Sequence, residues 1–332
     1  MDRFGATILD AEGHALTKAE KAFFRDANPF GFILFARNID TPEQVRALCA
    51  EMREAVGRDA LITIDQEGGR VQRLRGPVWR EWSPPLDFVQ SAGVEAEKAM
   101  YLRCRIIASE LYDLGIDSNC APMVDIAGDG THAFLKNRCY AHEPKRVAEI
   151  GRAAANGLLD GGVLPVVKHI PGHGRATVDS HYDLPHVSSS LDALTGNDFA
   201  PFKALNDLPM GMTAHLVYEA LDDRPATLSS EVMRVIREDI GFDGLLMTDD
   251  ISMKALHGSL AELSQRALEA GCDIVLHCNG TLAERLAVAE AAGEMSDAAQ
   301  RRAERALKMR KTPVDIDIPA AEAQLKALLN GA

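Results

Sequence analysis

None of the six cysteines forms a C-x-x-C pair; Cys49, Cys104, Cys120, Cys139, Cys272 and Cys278 mostly sit in apolar runs, as reduced buried thiols do. That disfavours a disulfide framework or a zinc knuckle and fits a reducing compartment. There is no Lys/Arg block, and the formal net charge is -13. A sequence-independent nucleic-acid binder needs a basic surface to neutralise phosphates, so that class is disfavoured. No segment approaches the ~18 uninterrupted apolar residues of a membrane span. The stretch Met1 to Asp10 carries acidic residues where a signal peptide needs an apolar run of about 7 to 15. A cytoplasmic chain is expected, with no nucleic-acid or membrane partner. No low-complexity linker or solenoid repeat divides the sequence.

What is present is globular in kind: 332 residues, 46% of them hydrophobic and 26% charged. That length suits either one large α/β barrel or two ordinary domains. Short apolar runs bounded by turn residues recur, each followed by a stretch of helical periodicity, which points to parallel βα units. The strand candidates are Ala6 to Leu9, Gly31 to Ala36, Ala60 to Asp65, Asp117 to Asp125, Val163 to His169, Met210 to Leu216, Gly244 to Asp249 and Cys272 to Cys278. Helix starts are marked at Thr41-Pro42, Ser229-Ser230-Glu231 and Ser259 to Glu262, and helix ends by Gly115, Gly161-Gly162, Gly241 and Gly271. Eight units filling the chain favour a closed (β/α)8 TIM barrel, an α/β fold of one domain. Two further helical stretches, Ala298 to Met309 and Ala320 to Leu329, are expected to pack outside it.

In such a barrel chemistry sits at the C-terminal strand ends, so polar residues closing apolar runs stand out. They are Asp65 to Arg73, Asp125, Lys168 to Gly174, and Thr248-Asp249-Asp250. Each alone has an ordinary reading, since a strand-terminal Asp often caps the next helix and a lone His is commonly a packing residue. Their convergence at one mouth argues for a polar ligand. In the loop after strand five, Asp179 and His181 lie two apart. There a carboxylate can orient an imidazole for proton transfer, although a D-x-H is by itself an unspecific loop sequence. Metal ligation by His169 and His173 is disfavoured, because Pro171-Gly172 breaks the helix that would align them. Asp249 and Asp250 are expected to point to opposite faces if the strand continues through them, so that only one reaches a ligand and Asp250 caps or braces the following helix.

Together these residues resemble glycoside hydrolase family 3, in its bacterial NagZ-type β-N-acetylglucosaminidase branch. Asp65-Gln66-Glu67-Gly68-Gly69-Arg70-Val71-Gln72-Arg73 is similar to the family's D-Q-E-G-G-R-V-x-R. Lys168-His169-Ile170-Pro171-Gly172-His173-Gly174 with Asp179-Ser180-His181 resembles its K-H-F-P-G-H-G and D-S-H, and Thr248 to Met253 its S/T-D-D-L-x-M. The resemblance runs from about residue 5 to residue 295 and implies a single barrel, with no room for the second α/β domain of many family β-glucosidases. It implies Asp249 as nucleophile, His181 assisted by Asp179 as acid/base, and Asp65, Arg73, Arg138, Lys168 and His169 as sugar-holding residues. Arg138 is the loosest match in the alignment. The implied substrate is a small carbohydrate, N-acetylglucosamine linked to an anhydro-muropeptide, and neither metal nor organic cofactor is implied. A family member acting on another β-glycoside or using phosphate as acceptor, a silent sugar-binding barrel, and a metal-dependent barrel hydrolase are the competing readings.

Overall fold

A computed structural model describes residues 3–180 and 182–330. Among the described residues eight parallel strands build the barrel and alternate with helices: β1 (Gly5–Leu9), β2 (Pro29–Leu34), β3 (Leu61–Ile64), β4 (Ser118–Asn119), β5 (Leu164–Ile170), β6 (Met210–Thr213), β7 (Leu245–Met247) and β8 (Val275–His277). They form two four-stranded arcs, β8-β1-β2-β3 and β7-β6-β5-β4. Backbone bonds close the seams: Asp117 N–H donates to Ile62 O (3.1 Å) and Cys120 N–H to Ile64 O (2.8 Å) between β3 and β4. Between β7 and β8, Thr248 N–H donates to Ile274 O (3.0 Å). The closed ring leaves no sheet edge unpaired, the (β/α)8 arrangement expected from eight βα repeats.

Every residue of β1, β2, β3 and β5 is buried, which explains why these strands read as continuous apolar runs rather than alternating ones. Each is packed inside on the barrel core and outside on helices. The helix signals act as read: Thr41 Oγ1 accepts the Gln44 N–H (3.2 Å) at the start of the Pro42–Val56 helix, and Ser259 and Glu262 form a capping box. The two extra helices occupy Asp297–Lys308, against β7, and Ile318–Asn330, against the Ala96–Asp113 helix. All six cysteines are free and buried. Among the described residues no helix is long and apolar enough to cross a membrane.

One strand departs from expectation. The run Asp117 to Asp125 is regular strand only at Ser118–Asn119, because Pro122 brings no N–H to the ladder. Pairing to β5 nevertheless resumes beyond it, with Lys168 N–H donating to Pro122 O (3.0 Å) and Val124 N–H to Lys168 O (2.9 Å). Asp125 is thereby held at the barrel mouth beside the end of β5.

Candidate active site

At the C-terminal mouth, a pocket of about 310 Å³ is lined by Asp65, Arg73, Arg138, Lys168, His169 and Asp249 together. These come from the ends of β3, β5 and β7 and from two connecting segments, so residues far apart in sequence meet there. Of the expected residues, Asp179 is half-buried in the loop alongside, where its carbonyl accepts the N–H groups of Tyr182 (2.9 Å) and Asp183 (3.1 Å). Its neighbour Ser180 lines the pocket. His181 lies outside the described residues.

Arg73 reaches Asp65 through a hairpin. Gln66–Gly68 pairs antiparallel with Val71–Gln72, and Gln66 Oε1 accepts the N–H groups of Arg73 (2.9 Å) and Leu74 (3.1 Å). Gly68 (φ 109°) is required at the turn: a Cβ there would lie 1.9 Å from the guanidinium of Arg103, which donates to Glu67 O (2.7 Å) beneath.

The polar floor is a chain of five alternating charges. Arg73 Nη2 donates to Asp65 Oδ2 (3.0 Å), and Lys168 Nζ donates to Asp65 Oδ1 (2.9 Å). Lys168 Nζ also lies 2.6 Å from Glu67 Oε1, and Arg138 clamps Glu67 from the far side. Burial alone would raise both carboxyls, but Lys168 and Arg73 hold Asp65 well below the usual range, and Arg138 and Lys168 bring Glu67 down to about 2. Burial likewise opposes the charge on Lys168, and the two carboxylates outweigh it and raise its pKa. Three cations against two anions leave N–H donors in surplus; Arg73 Nε has no partner among the described residues. Such a floor suits neutral hydroxyls, which accept from the surplus donors.

Beside it, Asp125 Oδ2 lies 2.7 Å from His169 Nδ1, and Asp125 Oδ1 accepts the backbone N–H of His173 (2.6 Å). Asp125 thus fixes the ring of His169 and the turn after β5 at once. That turn doubles the chain back through Pro171 and Gly172, bringing the His169 and His173 rings to 5.5 Å between centroids. As expected, no helix aligns the pair across Pro171-Gly172; a tight turn after β5 brings the two rings together. Asp125, His169 and His173 are the buried group whose ligand atoms lie within 4.8 Å of one another. Burial, reinforced by His169, pushes His173 down to about 3, so its ring is neutral.

Across the pocket stands Asp249. Burial would raise its carboxyl, but His169 and His215, then the Asp250 N–H, outweigh that and hold it ionised. The Asp250 N–H donates to Asp249 Oδ1 (2.8 Å), fixing the carboxylate. The expected divergence of Asp249 and Asp250 is corrected, since both line the pocket. Regular strand ends at Met247, so the two-residue alternation no longer applies to them. Asp250 Oδ1 braces the following turn, as expected of it, accepting from Ser252 N (3.0 Å), Ser252 Oγ (2.8 Å) and Cys278 N (3.3 Å). Burial raises Asp250 to about 6.

Sequence reasoning gave no role to Glu67, Asp125, His173 or Phe134. Glu67 and His173 stood inside the quoted motifs, and Asp125 ended a candidate strand, so a signal existed for three. Phe134 lines the pocket from a four-residue helix, Ala133–Lys136, that carries no motif.

Residues 8–309 match the glycosyl hydrolase family 3 N-terminal domain. The chain is 36% identical over 287 residues to a β-hexosaminidase of Alkalilimnicola ehrlichii, covering 83% of this chain and 81% of that protein. It is 36% identical over 289 residues to one of Pseudomonas aeruginosa, covering 86% of each. Among solved structures, native NagZ from Neisseria gonorrhoeae superposes with a TM-score of 0.84 at 32% identity, over 99% of this chain and 96% of that one. The same protein in complex with N-trifluoroacetyl-D-glucosamine superposes with a TM-score of 0.84 at 31% identity, over 99% and 97%. Its complex with zinc ion superposes with a TM-score of 0.83 at 31% identity, again over 99% and 97%. On this agreement of family match, identity and fold, the chain belongs to glycosyl hydrolase family 3.

Proposed function

We propose that this protein is a retaining β-N-acetylhexosaminidase that releases terminal β-linked N-acetylglucosamine through a covalent intermediate on Asp249. The observation that carries the reading is the placement of Asp249: an ionised carboxylate, fixed by the Asp250 N–H, in one pocket with the donor-rich floor of Lys168, Arg73 and Arg138. A retaining glycosidase needs such a carboxylate on one face of the anomeric carbon and a proton donor at the departing oxygen.

The reaction runs in two displacements. Asp249 attacks the anomeric carbon as its bond to the aglycone oxygen breaks, and His181 gives that oxygen a proton. His181, then neutral, takes a proton from water, which attacks the same carbon and releases Asp249; two inversions leave the β configuration. Asp179 is the carboxylate that orients His181 and stabilises its imidazolium form. Asp65, Lys168, Arg73, Arg138 and His169 hold the sugar hydroxyls, and the pocket requires no cofactor for these steps.

The β-hexosaminidase relatives, and the relative solved with an N-acylated glucosamine, support the amino-sugar preference. We place the enzyme in the cytoplasm, acting on N-acetylglucosamine linked to anhydro-muropeptides in peptidoglycan recycling. Rates on aryl β-N-acetylglucosaminide and aryl β-glucoside, with and without phosphate, and the first-formed product anomer read by NMR, test the proposal. It expects the acetamido sugar to be strongly preferred, phosphate to be without effect and the β anomer to appear first. Preference for glucoside, a glycosyl phosphate product or an α anomer overturns it.

A further inference from the structure

The pocket continues outward into a second groove of about 360 Å³, against about 310 Å³ for the pocket itself. Two loops wall both cavities. In the loop after β5, Ser180 lines the pocket and Tyr182 the groove. In the segment after β7, Asp249 and Asp250 line the pocket, Ile251 to Gly258 contribute to the groove, and Met253 lines both. The groove therefore has room for a second unit about as bulky as the one the pocket holds.

Its lining is apolar below and cationic at the rim. Ile251, Met253, Leu256 and Leu263 are buried beneath it, whereas the Tyr182 ring is 66% exposed. Lys254 reaches across from the other loop, with Nζ over that ring at 5.7 Å from its centroid. No carboxylate among the described residues forms an ion pair with Lys254, and no Asp or Glu lines the groove. A chain with 49 acidic against 36 basic residues has acid to spare for neutralising a lysine, so the groove stands out as positive.

Each feature fits one part of a ligand. The apolar floor and the tyrosine face suit the C–H face of a sugar ring or an aliphatic chain, and the ammonium suits a carboxylate. The donor-rich floor formed by Lys168, Arg73 and Arg138 closes the inner end of the pocket, so whatever is joined to a sugar held there extends toward the mouth.

We propose that Tyr182 and Lys254 form the aglycone subsite of this enzyme and select aglycones that carry a carboxylate. The inference rests on the glycosidase reading, which places the terminal sugar in the inner pocket.

The test compares two disaccharides on the full chain. N-acetylglucosaminyl-β-1,4-N-acetylmuramic acid has an aglycone with a lactyl carboxylate, and N,N′-diacetylchitobiose has a neutral one. The readout is the ratio of kcat/KM, acidic over neutral, in which a change to the catalytic groups common to both cancels. Wild type is expected to favour the acidic disaccharide at low salt, and about 0.5 M NaCl to reduce the ratio by screening an exposed pair. Lys254→Met is expected to lower the ratio about threefold to fivefold, the size of an exposed ion pair. Lys254→Glu is expected to lower it further, and Lys254→Arg to keep it. Tyr182→Ala is expected to raise KM on both disaccharides, with Tyr182→Phe restoring it.

Lys145, 88% exposed on the Pro144–Asp160 helix, supplies the control for net charge: Lys145→Met is expected to leave the ratio as in wild type. An unchanged ratio in Lys254→Met and Lys254→Glu, or an equal fall in Lys145→Met, overturns the selection. A lysine that only tied the two loops together would alter melting and both rates alike, and that result also overturns it. A wild-type KM in Tyr182→Ala removes the tyrosine from the subsite. Absence of hydrolysis of both disaccharides contradicts the glycosidase reading, and the ratio of their dissociation constants, read by calorimetry on the same variants, then decides the selection.

Discussion

Arg138 meets Glu67 edge to edge, with Nε 3.0 Å from Oε2 and Nη2 2.8 Å from Oε1, and the two side chains are only 7% and 3% exposed. The pair ties the segment after the Ala133–Lys136 helix to the hairpin after β3. Removing one member leaves the other charge buried, which costs about 3–5 kcal/mol. Arg138→Ala is therefore expected to lower the urea midpoint by that equivalent, and Arg138→Lys, which keeps charge without the two-pronged contact, to fall between. A wild-type midpoint for Arg138→Ala would show that the clamp contributes nothing to the fold.

Adjacent carboxylates on β7's continuation separate chemistry from bracing. Asp249→Ala is expected to lower kcat on the order of 10⁴-fold while leaving the melting temperature close to wild type. Asp250→Ala frees three donors of the turn and is expected to cost about 1–3 kcal/mol of stability with most of the turnover retained. Kinetics and melting on both variants decide this, and exchanged phenotypes would reverse the two roles.

His181 is expected to matter in proportion to the basicity of the leaving group. A nitrophenolate departs without a proton and an alkoxide does not, so His181→Ala should lose far more rate on a disaccharide than on a nitrophenyl glycoside. Equal losses on the two substrates would remove its role as acid.

Acid stability carries signs that can be worked out. His173 is pushed down to about 3 and His277 to about 4, chiefly by burial, from an ordinary 6.5. The unfolded chain then binds more protons than the folded one between these values, so stability is full above pH 6.5 and is lost as pH falls toward 3. Glu67, lowered to about 2 from 4.5, adds a loss in the same direction below pH 4.5. Asp250, raised to about 6 from 3.8, acts oppositely and costs stability as pH rises through that window. Urea midpoints across pH 3 to 7 are expected to fall toward acid, with a shallower slope in His277→Asn and a steeper one in Asp250→Asn. An unchanged slope in both would show that these groups do not set the acid limb.

The barrel was legible because its parallel strands are buried on both faces and so appear as apolar runs, each closed by a polar residue at the mouth. Asp65, Lys168, His169 and Asp249 were found that way. The bracing role of Asp250 was legible, whereas its place in the pocket wall was not: that depends on regular strand ending at Met247, beyond which Cys278 N–H on another segment donates to Asp250. Nor was the meeting of His169 and His173, since the turn through Gly172 is held by Asp125 from the neighbouring strand. Glu67 lay within a recognised motif, yet its place between Lys168 and Arg138 is a contact across 71 residues of sequence that periodicity does not encode.

The central claim is a glycosyl–enzyme intermediate on Asp249. Its most direct test is to trap the protein with a 5-fluoro-N-acetylglucosaminyl fluoride, whose second displacement is slow, and to locate the added mass by peptide mapping. The account predicts one sugar per chain on the peptide containing Asp249, at that carboxylate. A label on another carboxylate, or inactivation with no covalent label on the chain, would contradict it.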